Sequence, residues 1–203
     1  MSFDSIEIIN VLKHLNYRVF TNGLYNVNII GVRNNSTKPN SFDDELHIIY
    51  RDNKNAVIHK IYDITTDAGL HYLLNPMNSK GTALLVPNQY RGTWKIGLHR
   101  GKYEALVQSK PVKVWRDGNK DNVLDFDSTV THEGVFGINI HRANANRESV
   151  QVDKWSAGCQ VFANPDSYAD FMSIIKKSRD IYGNSFTYTL VTEKDVMSYR
   201  NSI

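Results

Sequence analysis

The sequence predicts an α+β fold, mainly β, in a single domain. Three observations lead there. Runs rich in Ile, Val and Tyr recur from Tyr25 onward, only two segments carry a helical period, and no internal repeat or low-complexity tract divides the chain. "SFDSIEIINVLKHL" opens as a short helix, with Ser2 or Asp4 as its cap and Ile8, Val11, Leu12 and Leu15 at helical spacing. After Asn22 and Gly23 the texture turns to β in "YNVNIIGVR", "ELHIIYRD" and "AVIHKIYDITT". The polar stretches "RNNSTKPNS" and "RDNKNA" separate these runs, and the first of them is predicted to be a flexible loop. Strand signals continue through "TALLVP", "TWKIGLHRG", "ALVQ", "VKVWRDG", "GVFGINIHR" and "GCQVF".

A second helix is predicted over "NPDSYADFMSIIKKSRDIYG". Asn164 stands at the cap, Pro165 at the first helical position and Gly183 at the stop. Tyr168, Phe171, Met172, Ile175, Arg179 and Tyr182 share one face of it, which makes it amphipathic. "SFTYTLVT" returns to strand. Residues 1–45 are read as an N-terminal helix and extension, and residues 46–203 as the main domain.

Composition narrows the function classes. With 203 residues, 41% hydrophobic, 22% charged, 12 Gly and 5 Pro, the chain is that of a globular protein able to bury a core. The net charge is +3 and the basic residues are spread out, which is not the footprint of a nucleic-acid binder; mild attraction to an acidic polymer such as a cell wall remains. The N-terminus lacks a basic stretch followed by an uninterrupted apolar one, and no segment approaches the roughly 18 apolar residues of a membrane span. The expectation is a chain made in the cytoplasm without a secretion signal.

One cysteine, Cys159, cannot form an internal disulfide or a multi-cysteine zinc site. It is a small buried hydrophobe or a nucleophile. Thiol chemistry needs a nearby imidazole to take the proton and backbone N–H groups for the developing oxyanion. His141 stands 18 positions upstream, at the end of the strand-like "VFGINI", and Gly158 precedes the cysteine directly. Asn139, Asp153 or a backbone carbonyl would orient the imidazole. Ser156 either orients the loop, binds substrate or caps a turn.

"GINIHR" followed by a variable loop and "SAGCQVF" resembles the catalytic motif of the L,D-transpeptidase (YkuD-type) family, with His141, Ser156, Gly158 and Cys159 at the matching positions. A looser similarity extends through "GTALLVPNQYRGTWKIGLHRG". The resemblance implies a mixed β catalytic domain over 46–203, a short N-terminal helix and an amphipathic helix after the cysteine. It implies that Cys159 attacks a carbonyl of the peptidoglycan stem peptide, His141 accepts the proton, and amides at Gly158 and Cys159 hold the oxyanion. Trp155, Ser156, Ala157, Gln160 and Arg142 are then the candidate substrate-binding residues. Three positions depart from the family pattern: Ala157 stands where His is usual, Val161 where Arg or Asn is usual, and Arg142 where Gly is common. Gln160 is the candidate replacement for the polar group missing at Val161.

The expected reaction is acyl transfer or hydrolysis on stem peptides, with no cofactor. The absent export signal favours a wall-degrading peptidase of a phage particle or of lysis, and a virion is the larger assembly to which such a chain would belong. The alternative is an inactive structural or wall-binding module with the same fold. Asp117, Asn119, Asp121 and Asp125 have spacing reminiscent of a calcium loop, but the run 117–127 lacks the glycine and final glutamate and reads as a solvated acidic turn. His132 and Glu133 with His141 and Cys159 lack zinc-site spacing, so no metal is expected. Tyr90, Trp94, Trp115 and Trp155 are aromatic candidates for a cleft, Trp155 foremost; His99 and Arg100 either line it or end a strand.

Overall fold

The structure is a computed structural model that describes residues 3–126 and 130–202. It is α+β and mainly β. Eleven strands and four helices follow in the order α1 (Ser5–His14), β1 (Asn28–Arg33), β2 (Asp44–Arg51), β3 (Val57–Thr65), α2 (Leu70–Leu74), β4 (Thr82–Leu85), β5 (Asn88–His99), β6 (Tyr103–Gln108), β7 (Val112–Asp117), β8 (His132–Gly134), β9 (Ile140–Arg142), β10 (Gln160–Phe162), α3 (Pro165–Tyr182), β11 (Phe186–Thr192) and α4 (Glu193–Arg200), all counted among the described residues. Eight of the strands close a barrel in the order β1, β11, β5, β6, β9, β10, β3, β2, and β4, β7 and β8 form a separate sheet. Most neighbours are antiparallel. The exceptions are β1 with β11 and β9 with β10.

Side-chain alternation builds the core. Ile29, Leu46, Ile48, Ile64, Trp94, Leu106, Ile140, Phe162 and Tyr188 form one buried cluster, onto which α3 lays Tyr168, Phe171, Met172 and Ile175. Asn164 caps α3 by accepting from Asp166 N and Ser167 N, Pro165 opens it, and Gly183 ends it at φ 87°, as its sequence predicts. The apolar face is shorter than expected: Arg179 is half-buried, and Tyr182 is exposed with its hydroxyl on Leu24 O.

β1 lies N-terminal to the boundary drawn at residue 45 and pairs with both β2 and β11. Its Ile29 enters the barrel cluster, whereas Ile30 and Val32 meet Ile8, Val11 and Leu12 of α1 and Val196 of α4 on the outside. All six of its residues are consequently buried. Asp4 caps α1 by accepting from Glu7 N; Ser2, the other candidate cap, lies outside the described residues. An ion pair between Arg200 and Glu7 ties α4 to α1. Trp115 belongs to a third cluster, with Leu73, Leu84 and Leu124 beneath the three-stranded sheet. No helix among the described residues is long and apolar enough to cross a membrane.

Candidate functional site

Strand register brings the two motif halves together. In the parallel β9–β10 pair Val161 lies opposite His141, so Cys159, two residues before Val161, rises on the face that carries the imidazole. Gln160 N donates to Asn139 O and fixes that register where the pair begins. The segment before β9 is pinned twice. Trp94 Nε1 donates to Ile138 O at 2.7 Å, and Gln108 Oε1 accepts from Phe136 N and Ile138 N while its Nε2 donates to Gly134 O.

His141 is buried, 3% exposed. Its Nδ1 lies 2.8 Å from Arg142 O and 3.3 Å from the Tyr103 hydroxyl, which itself donates to Arg142 O. A carbonyl can only accept, so Nδ1 carries the proton and Nε2 presents a lone pair. That buried Nε2 has no partner among the described residues. The group orienting the imidazole is thus the Arg142 carbonyl. Asn139 serves another ring: its Oδ1 accepts from Gln108 N, which turns its Nδ2 toward His99 Nδ1 at 3.1 Å. Asp153 accepts from Asn40. His99 therefore carries its proton on Nε2, and it stacks on His141 with ring centroids 4.0 Å apart. Burial, reinforced by His99, holds His141 neutral down to about 3; burial and then Arg100 push His99 down to about 4.

The Cys159 thiol is half-buried and sits between Gly137 O, to which it donates at 3.4 Å, and Asn139 N, which donates to it at 3.4 Å. Burial raises its pKa, opposed by the Asn139 amide and by Arg100. The thiol and His141 Nε2 are not hydrogen-bonded to each other. Both groups rest uncharged, unlike a preformed thiolate–imidazolium pair.

Ser156 shapes the loop that carries Cys159. Its hydroxyl donates to Cys159 O at 2.8 Å and accepts from Gly158 N at 3.1 Å. Gly158 N–H is thereby used internally, which leaves Cys159 N–H, without an acceptor among the described residues, as the loop's donor for an oxyanion. Gly158 itself has φ +113°, and a Cβ there would lie 2.1 Å from Ala83 O. A bridge between Ala68 and Ala157, with Gly69 N on Ser156 O, holds the loop from the other side.

A pocket of about 280 Å³ contains Cys159, His141, Gly158, Ala157 and Trp155 together with His99, Arg100 and Asn139. Three expected substrate residues do not line it. Ser156 is buried in the loop. Gln160, one residue past Cys159, turns to the barrel interior, accepts from the Tyr188 hydroxyl at 2.8 Å and lies near Thr66 O and Gly158 O. Tyr188 finds room because Gly31 has no Cβ, which would stand 1.9 Å from its hydroxyl. Arg142, opposite Phe162 on that same face, places its guanidinium over Tyr103 at 4.3 Å. Of the aromatic candidates only Trp155 reaches the pocket; Tyr90 and Trp94 are barrel core. Met77, Ala83 and Phe136, which sequence reasoning did not place here, complete the walls.

No group of metal-ligating side chains occurs among the described residues. In the acidic turn Asn119 Nδ2 donates to both Asp121 and Asp125, filling the space between the carboxylates; Asp127 lies outside the described residues. Family models, curated proteins and solved structures alike returned no match to this chain.

The two histidines set a pH dependence of stability. Their folded pKa values are depressed, so the unfolded chain binds more protons between about 3 and 6.5. Their contribution is full above pH 6.5 and is lost as pH falls through that window. Asp44 works the opposite way, since burial, then repulsion from Asp67, raises its carboxyl to about 7. His99→Gln is expected to lose less of its urea midpoint between pH 7 and pH 4.5 than the unaltered chain does. An equal loss in both would remove His99 from the account.

Proposed function

We propose that the chain is a cysteine enzyme of L,D-transpeptidase type acting on peptidoglycan stem peptides through a thioester. One observation carries the reading: a buried imidazole with an unpartnered Nε2 opens into the same pocket as the lone thiol. In the reaction, Sγ adds to the stem-peptide carbonyl while its proton passes to Nε2, and the Cys159 amide holds the oxyanion. Collapse breaks the C–N bond, and the imidazolium returns the proton to the leaving amine. An amine or water then takes the acyl group from sulfur, giving transfer or hydrolysis. The thiol must first leave Gly137 O and approach the ring.

Intact mass spectrometry after mixing with a carbapenem is expected to show one covalent adduct that Cys159→Ala abolishes. Incubation with muropeptides and a D-amino acid then separates the outcomes, exchange products marking transfer and shortened or uncrosslinked stems marking hydrolysis. A second reading, an inactive structural or wall-binding module, draws on the thiol's rest position on Gly137 O and its raised pKa. It predicts neither adduct nor altered muropeptide.

A further inference from the structure

Beside the Cys159 pocket lies a second cavity of about 220 Å³ that shares Met77, Ala83, Phe136 and Ala157 with it. The two lobes form one cleft. Neither lobe is lined by Asp or Glu, and each holds one arginine: Arg100 beside the thiol and Arg116 in the second lobe.

Arg116 is fixed in place. It comes from β7 opposite Ala83 of β4, its Nη1 donates to Gly81 O at 3.1 Å, and its guanidinium lies 4.8 Å over the Phe136 ring. Its Nε is buried without a partner, and no carboxylate pairs with it among the described residues. Burial pulls its pKa down, the expected cost of a cation withdrawn from water without a counter-ion. A planar guanidinium already oriented by a carbonyl and an aromatic face is suited to a carboxylate, which it can bind through two parallel N–H groups.

We propose that Arg116 is a carboxylate-binding anchor, and that the cleft takes a peptide whose free carboxylate enters the second lobe while the carbonyl to be attacked lies over Cys159. The link to attack rests on the acyl-transfer reading; the carboxylate site does not. Arg100, an exposed residue lining the first lobe, adds to the same positive field.

The test uses the full chain with Cys159→Ala, labelled with nitrogen-15, and follows the arginine Nε–H resonances. Three probes are added: the stem tetrapeptide L-Ala-γ-D-Glu-meso-diaminopimelyl-D-Ala, the same peptide with its carboxyls converted to carboxamides, and glutarate. The Arg116 resonance, assigned by its loss in Arg116→Gln, is expected to move with the tetrapeptide and with glutarate. The carboxamide form is expected to bind at least tenfold more weakly. Arg116→Gln should erase that difference, and Arg116→Lys should keep part of it. Equal binding of the two peptide forms, or a stationary Arg116 signal in the chain that retains this arginine, overturns the anchor. If the signal moves with glutarate while the chain with Cys159 intact leaves stem peptides unaltered, the carboxylate site stands and the peptidoglycan reading falls. If stem peptides are turned over while the Arg116 signal stays still, the anchor falls and the acyl-transfer reading stands.

Discussion

Gly158→Ala is expected to destabilise the chain by about 3 kcal/mol or more and to abolish carbapenem labelling of whatever fraction stays folded. Two separate costs add at this position. A side chain at φ +113° lies outside the region L-residues adopt without strain, and the new methyl would stand 2.1 Å from Ala83 O, a backbone atom of β4 that cannot swing aside. Relief requires the loop to withdraw from β4. That withdrawal breaks the Gly158 N–H bond to Ser156 and moves Cys159 N–H from its place beside the thiol. Ser156→Ala is the control. It removes the same hydroxyl contacts without adding bulk, so its cost should stay near 1–2 kcal/mol, typical of buried hydrogen-bond loss. Equal urea midpoints for Gly158→Ala and the unaltered chain would mean that the loop does not pack against β4.

The segment that carries His141 and Cys159 was readable because its information is local. Runs rich in Ile, Val and Tyr, the capped helix from Asn164 to Gly183, and a histidine and cysteine joined by one loop are each set by residues close in sequence. The parity of a strand was readable too, and it decides against Gln160: the neighbour of a residue that faces the pocket must face the barrel. Arg142 fails for the same reason, one step from His141. Barrel closure, by contrast, joins β1 to β11 across most of the chain, and no local pattern encodes that pairing. The rest of the cleft has the same origin. His99 ends β5 and Arg100 follows it in the turn, Arg116 sits in β7, and Met77 follows α2, so their meeting depends on sheet order. α4 was legible and missed: Thr192 and Asp195 form a capping box, a signal four residues long.

On the proposed acyl-transfer reading, His141→Gln is expected to lower kcat/KM for stem-peptide turnover by roughly 10²–10⁴, the range associated with loss of a general base. The acid limb of the parent profile distinguishes how the base works. An ordinary histidine would shut activity down near pH 6.5, whereas an imidazole held neutral by burial and by stacked His99 keeps its lone pair until about 3. The limb should therefore lie well below 6.5. On the thiol side, burial outweighs the Asn139 amide and Arg100, so iodoacetamide alkylation of Cys159 should climb through alkaline pH without a plateau below neutrality. Both curves follow from a proton that stays on sulfur until a carbonyl arrives. An alkylation plateau under pH 7 would instead reveal a standing thiolate–imidazolium pair, which the 3.4 Å hydrogen bond from Sγ to Gly137 O and the empty Nε2 of His141 both oppose.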